Sequence, residues 1–551
     1  LSDYSSEEIF KYWKLINSKG DFMDFGKPKG KKTYSDNGIY TIGLNAKKYS
    51  KKNAIIFEDE KLTWEELWER SNRLANGYIS LGLRKGDTVQ IFLPNCLEYP
   101  EVVLGGNIAG LINTAGNYRL IKNELIYQLN DCKAKAIILK TEEQLKNVLE
   151  VKDKTPNLKY IIVIDNVNIK RDDIFQYYEL LEKSSPYPPN LEVLPEDIHL
   201  LMYTSGTTGY PKGAARSNRN DYFMANSVCH EIGLTENDTY MAIAPMYSAA
   251  SMGYMFATLL SGGTIAIVPK YDPKEVFRYI EKYKPTWFFM VPIMFDWVFS
   301  LPDEYLGKFD ISSVRHVAVC GAPLHNATAK KIVNHFKSAD VSNWLGASEF
   351  GFIARYSYKN GFKDEGCVGK PVFDLDLKLF DENGNEVKKG ESGILYGRGF
   401  SMWEGYINNP KATQEAFLDQ EWGTVGDIAR QDDEGNFYVI DRKVDMIITG
   451  GINVYPIEIE NVIQSHPDVV DVAVIGVPDE KWGEAVKAIV VKKHGSNLTE
   501  NDLIKYCKER LAGFKVPKSV DFTDQIPRSF VGKALKKELR KKYWEGKEYK
   551  I

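Results

Sequence analysis

The sequence predicts an α/β protein: a large N-terminal region of doubly wound sheets with a small antiparallel β unit, then a small α+β C-terminal region. Three observations lead there. From Thr88 to Phe336, apolar β-branched runs alternate with helical patterns, the signature of parallel sheets covered by helices. From Phe373 to Tyr396 the pattern changes to short strands around a tight Asp381-Glu382-Asn383-Gly384 turn. Beyond Asp441–Asp445 a second, compact mixture of strands and a helix begins.

The elements follow in chain order. Thr63-x-x-Glu66 is a capping box that starts a helix running to about Ser80 and closed by Gly82. Thr88–Leu93 reads as a strand. The apolar stretch Val102–Ala115, interrupted by glycines and asparagines, reads as a buried helix too short and too polar to cross a bilayer. Ala134–Leu139, Tyr160–Ile164 and Ile198–Met202 read as buried strands. Regular alternation follows: strand Tyr240–Ala244, helix Met252–Leu260, strand Thr264–Val268, helix Pro273–Tyr283, strands Trp287–Met290 and Val314–Val319, helix Ala327–Phe336. The C-terminal region carries strands at Asp471–Gly476, Ala485–Val491 and Val520–Phe522, with a helix at Asn501–Leu511. We place the domain boundary between residues 441 and 442, giving 1–441 and 442–551.

Bulk properties narrow the function classes. The chain has 551 residues, 43% of them hydrophobic, enough for large buried cores. Its net charge of −4 gives no global pull toward nucleic acid. The basic runs Lys27–Lys32 and Lys533–Lys550 read as solvated faces, with one lysine excepted below. Six scattered cysteines without a Cys-x-x-Cys pair argue against a zinc site or a disulfide framework and suit a reducing cytoplasm. No charged-then-apolar leader opens the sequence. The expectation is a cytoplasmic monomer or homodimer without a membrane span.

The most informative segment is YTSGTTGYPKG, Tyr203–Gly213. It follows a predicted strand and brings together Thr204, Ser205, Gly206, Thr207, Thr208, Gly209 and Lys212. Glycines let backbone N–H groups turn toward an anion and hydroxyls add donors, so the loop suits phosphate. It is not the P-loop of kinases and GTPases, because Lys212-Gly213-Ala214 replaces Gly-Lys-Ser/Thr. Four further motifs follow in order: CGAPL (Cys320–Leu324), LGASE (Leu345–Glu349), VGDIA with IDRKVDMIITGGINVYP (Val425–Ala429 and Ile440–Pro456), and PRSFVGK (Pro527–Lys533).

Together these motifs resemble the adenylate-forming superfamily of acyl-CoA synthetases, peptide-synthetase adenylation domains and firefly luciferase. The resemblance spans nearly the whole chain. It implies a large N-terminal and a small mobile C-terminal domain, and two half-reactions: a carboxylic acid and ATP form an acyl-adenylate and pyrophosphate, then coenzyme A takes the acyl group and releases AMP. The ATP site would comprise the loop from Thr204 to Lys212, the adenine-edge turn Gly321-Ala322-Pro323, the segment Leu345, Gly346, Ala347 and Ser348, the ribose ligand Asp427, and Arg442. Glu349, with Thr204, would hold Mg²⁺. Lys533 would bridge the carboxylate and the α-phosphate. Gly450 and Gly451 would line the route of CoA. Leu345 stands where the family usually has a tyrosine against adenine, with Trp344 adjacent as a substitute. Val444 stands where the family pivots on a charged residue.

For the acid, Gly346 replaces the tryptophan that closes the pocket of acetyl-CoA synthetases and is expected to leave that space open. Tyr247, Ala249, Met252, Met290, Val291 and Cys320 are expected around the acyl group. The reading is an AMP-forming acyl-CoA synthetase for a medium-chain or branched fatty acid. A hydroxylated or aryl acid, and a free-standing adenylation enzyme that loads a carrier protein, are the alternatives.

Overall fold

The structure, a computed structural model, describes residues 37–168, 171–204, 211–442, 445–449, 452–479, 482–528 and 534–545. Three sheets organise it. An eight-stranded sheet runs in the spatial order Gly405–Tyr406, Lys212–Ser217, Ile198–Thr204, Ile112–Ala115, Thr88–Phe92, Ala136–Leu139, Tyr160–Val163 and Ile174–Gln176. From Ile198–Thr204 onward its neighbours are parallel, as expected for strands linked by helices. Lys212–Ser217 turns back antiparallel on Ile198–Thr204, and Gly405–Tyr406 adds antiparallel to that.

The second sheet has fifteen strands. Its parallel part places Asn53–Phe57, Thr264–Ile267, Thr239–Ala242, Trp287–Met290, His316–Cys320 and Asp340–Ala347 side by side. Antiparallel strands continue it. The expected small β unit is there, with Leu375–Phe380 antiparallel to Ser392–Gly399, and the Asp381 carboxylate accepts from the amides of Asn383 and Asn385 at 2.8 Å each in the tight turn. It is not freestanding: Asp427–Gln431 and Phe437–Arg442 hydrogen-bond it to Cys367–Pro371 and so into the large sheet.

Local signals behave as their chemistry dictates. Thr63 caps the helix Trp64–Ser80, accepting from the Glu66 amide at 3.2 Å, while Oε2 of Glu66 accepts from the Thr63 amide at 2.7 Å. The Val102–Ala115 stretch divides into two elements, the helix Tyr99–Ile108 and the strand Ile112–Ala115. Gly110, at φ +65°, makes the reversal. Every residue of that helix is buried, Glu101 and Asn107 included, so no alternation of apolar and polar faces marked the change of period.

Most large buried aromatics, among them Trp64, Tyr240, Tyr254, Trp287 and Trp344, share one core with both N-terminal sheets. Sheet membership changes between Arg442 and Ile447, after which a five-stranded sheet takes over with cores of its own. Among the described residues, no helix is long and apolar enough to cross a membrane.

Candidate nucleotide and metal site

The ends of the glycine-rich loop are tied together. Thr204 closes the strand Ile198–Thr204, and its Cα partner on the returning strand is Lys212. Ser205, Gly206, Thr207, Thr208 and Gly209 lie outside the described residues. The Lys212 ammonium sits 5.2 Å from the centre of the Tyr406 ring.

Glu349 occupies the turn of a β-hairpin between Asp340–Ala347 and Gly351–Ser357. It is 6% exposed. The Tyr406 hydroxyl donates to its Oε1 at 2.8 Å. Its backbone carbonyl accepts from the Trp403 amide at 2.8 Å and from Nη1 of Arg216 at 3.0 Å. Its Oε2 accepts from none of the described residues, which leaves one anionic oxygen for a hard cation. Mg²⁺ commonly takes only one or two protein carboxylates and completes its shell with phosphate and water, so this donor set fits it. No group of three His, Cys, Asp or Glu side chains able to hold a metal occurs among the described residues.

The hairpin strand corrects two expectations. Trp344 does not replace the missing adenine-stacking ring at Leu345. Successive strand residues face opposite sides, and Trp344 is 2% exposed, donating from Nε1 to Ser342 Oγ at 2.7 Å and packing edge-on against Phe352. Nor does Gly346 leave open space. A Cβ there would stand 2.8 Å from the Gly351 carbonyl oxygen and 3.6 Å from the Phe352 ring. Leu345, Gly346, Ala347 and Ser348 are half-buried.

The remaining nucleotide candidates gather at strand ends. Cys320 is the Cα partner of Trp344, so the Gly321-Ala322-Pro323 turn and the segment after Trp344 leave adjacent parallel strands at the same edge. Ligands of open α/β sheets bind at that carboxyl edge. Asp427, 5% exposed, opens the strand Asp427–Gln431, and its Cα partner is Arg442, described by its backbone. The expected ribose ligand and arginine thus sit across one ladder.

The acyl candidates divide differently. Tyr247, Met252, Met290 and Cys320 are closed into the main core at 1–3% exposure. Ala249 begins the helix Ala249–Ser261 and is half-buried. Val291 alone of the expected lining reaches a cavity of about 550 Å³, with Tyr118, Tyr271, Met294 and Trp297 around it. Val470 and Arg528 close it from the C-terminal side. Gly450, Gly451 and Lys533 lie outside the described residues, as does Val444. The chain on either side of Lys533 is pinned: Arg528 pairs with Ala534 in an antiparallel bridge, and Nε of Arg528 donates to Oδ2 of Asp471 at 3.0 Å.

Residues 44–407 match a family model described as AMP-binding enzyme, and residues 458–533 match the AMP-binding enzyme C-terminal domain. The chain belongs to the AMP-binding enzyme family. A feruloyl-CoA synthase of Amycolatopsis sp is 34% identical over 483 residues, 88% of this chain and 94% of that protein. A long-chain-fatty-acid–CoA ligase of Escherichia coli O157:H7 is 33% identical over 525 residues, 90% of this chain and 92% of that one. Among solved structures, the anthranilate CoA ligase AuaEII in complex with anthranoyl-AMP superposes with a TM-score of 0.84 at 26% identity, covering 92% of this chain and 97% of that one. This member of the AMP-binding family is therefore an AMP-forming acid–CoA ligase of the adenylate-forming superfamily, as the motifs implied.

Two partners of Glu349 were not legible in the sequence. Tyr406 sits on a two-residue strand with no periodic signal. Arg216 stands in a strand where only burial reveals its partners.

Proposed function

We propose that this ligase activates a medium-sized apolar carboxylic acid, in the first place a medium-chain or branched fatty acid, and transfers it to CoA. The observation that carries the ATP half of the reading is the buried Glu349 carboxylate, held on one oxygen by Tyr406 and given no donor on the other by the described residues. Glu349 would hold Mg²⁺ there, and the ion would offset the charge that gathers on departing pyrophosphate.

The chain's own residues do the rest. In the first half-reaction a carboxylate oxygen forms a bond to the α-phosphorus while the bond from that phosphorus to the bridging oxygen breaks, and pyrophosphate leaves with that electron pair. Two anions must approach each other, so cations fixed in place lower the barrier. Lys533 is assigned the contact between carboxylate and α-phosphate, and Lys212 a secondary contact with the outer phosphates. Asp427 accepts from the ribose hydroxyls, and Arg442 lies across the ladder from it. In the second half-reaction the CoA thiolate attacks the acyl carbonyl and AMP departs with the electrons of the mixed-anhydride bond. The region 442–551 is assigned the role of a mobile domain that presents Lys533 for the first step and Gly450-Gly451 for the second.

The fatty-acid reading is supported by the apolar body of the cavity at Val291 and Met294. A second reading, an aryl acid, is favoured by the three rings of Tyr118, Tyr271 and Trp297 around the same space. A screen of acids from acetate to palmitate, with benzoates and cinnamates, tests both by following AMP, pyrophosphate and thioester. A best substrate of six to twelve or so carbons supports the first reading. Acetate as the best substrate would overturn both, and adenylate formation without consumption of free CoA would move the protein to the carrier-loading class.

A further inference from the structure

One face of the strand Lys212–Ser217 carries two cations. Lys212 leads out of the phosphate loop, and Arg216, four residues on and pointing the same way, goes into the protein. Arg216 is 2% exposed. Its Nη1 donates to the Glu349 carbonyl at 3.0 Å and lies 3.4 Å from that of Ser348. Its Nε donates to Oδ1 of Asp221 at 2.5 Å. The other oxygen of Asp221 lies 2.8 Å from Nε2 of His199, and Nδ1 of His199 lies 3.1 Å from Oδ1 of Asn107. All four side chains are buried. Burial would push the Asp221 carboxyl up, but Arg216 and His199 outweigh it and hold it below the usual range.

A buried ion pair contributes little to net stability, because desolvation offsets the attraction, and a retained pair invites a question about what it orients. Here the geometry is directional. Glu349 sits on the hairpin of the fifteen-stranded sheet, whereas Arg216, Asp221 and His199 all belong to elements on or beside the eight-stranded one. The guanidinium therefore straps the turn of one sheet to the face of the other. Its planar fork reaches the carbonyl and the carboxylate together, which the single ammonium of lysine does not reproduce.

We propose that Arg216, oriented by Asp221 and His199, is a positioning residue that holds the Glu349 turn so that the free carboxylate oxygen faces the metal of MgATP. The proposal rests on the reading of Glu349 given above. Groups behind a metal ligand commonly set affinity by roughly ten- to a hundredfold, without touching the metal.

The test uses the full-length chain and the double substitution Arg216→Met with Asp221→Asn, which removes both charges together. The single Arg216→Met substitution would strand a buried carboxylate and could fail to fold. Mg²⁺ is titrated into ATP-saturated protein without acid, with the thermal shift as readout. The thioester half-reaction is then started from synthetic acyl-adenylate and CoA. The expected result is a cooperative melt, a Mg²⁺ midpoint raised roughly tenfold or more, adenylate formation restored by excess Mg²⁺, and a thioester rate within about twofold of wild type. If the double variant does not fold, Arg216→Lys is measured in the same way and the same rise in midpoint is expected. Glu349→Gln serves as the reference. If it moves the midpoint and the Arg216 variant does not, the role of Arg216 is wrong while the metal reading stands. If neither moves it, the metal reading fails and this proposal falls with it. Equal losses in both half-reactions would also overturn it, since a merely structural strap would damage both.

Discussion

The Tyr406 hydroxyl donates to Oε1 of Glu349 at 2.8 Å while the Tyr406 ring lies beneath the Lys212 ammonium. One tyrosine thereby connects the returning strand of the phosphate loop to the carboxylate assigned to Mg²⁺. Tyr406→Phe keeps the ring and removes the donor. A hydrogen bond to a charged group is worth about 1.5–3 kcal/mol, so adenylate formation at limiting Mg²⁺ should fall by roughly one to two orders of magnitude. Saturating Mg²⁺ should recover most of the loss. A Mg²⁺ titration identical to wild type would mean that the hydroxyl does not position Glu349.

Gly346 is constrained by backbone rather than by acyl volume. Its Cβ direction meets the Gly351 carbonyl at 2.8 Å, and Gly351 itself sits at φ +77°. Gly346→Ala should already lower Tm and slow adenylate formation. Gly346→Trp should lose activity across all chain lengths, because the hairpin that carries Glu349 must shift to admit any side chain. A variant with unchanged Tm and a selective gain for acetate and propionate would show instead that the indole enters an open acyl pocket.

The role proposed for Lys533 predicts different effects on the two half-reactions. Lys533→Ala should slow adenylate formation by roughly 10²–10³-fold, the usual cost of losing one preorganised charge stabiliser. Conversion of preformed adenylate and CoA should stay near the wild-type rate. Paired single-turnover measurements check this, and equal losses in both would remove the assigned role.

His316 lies at the centre of the fifteen-stranded sheet, 1% exposed, with Ser342 Oγ 3.1 Å from its Nε2. Burial pushes its pKa down from 6.5 to about 4, with the nearby Asp340 opposing. The folded protein thus keeps the ring neutral where the unfolded chain takes up a proton. Stability from this residue is full above about 6.5 and is lost as pH falls toward about 4. The loss amounts to at most roughly 3 kcal/mol. His316→Gln should flatten that part of the profile in denaturant melts between these pH values. An unchanged slope would assign the acid sensitivity to other groups.

Much of the fold was legible because local chemistry decides it. The Thr63–Glu66 capping box, the alternation from Tyr240 to Phe336 and the Asp381–Gly384 turn are short-range effects, and all three are present. The motifs likewise sufficed to place the chain in its family, because they fix residue type at spaced positions along nearly the whole chain. Tertiary structure decided the rest. Periodicity could not separate the helix Tyr99–Ile108 from the strand Ile112–Ala115, since both are buried, polar residues such as Glu101 and Asn113 included, and neither shows an exposed face. Strand alternation, not sequence adjacency, turned Trp344 away from the edge where Leu345 stands. The space beside Gly346 is filled by a carbonyl on the opposite strand, and the partners of Glu349 come from positions 216, 403 and 406. Contacts between residues distant in the chain depend on how two sheets pack, and no local propensity encodes that packing.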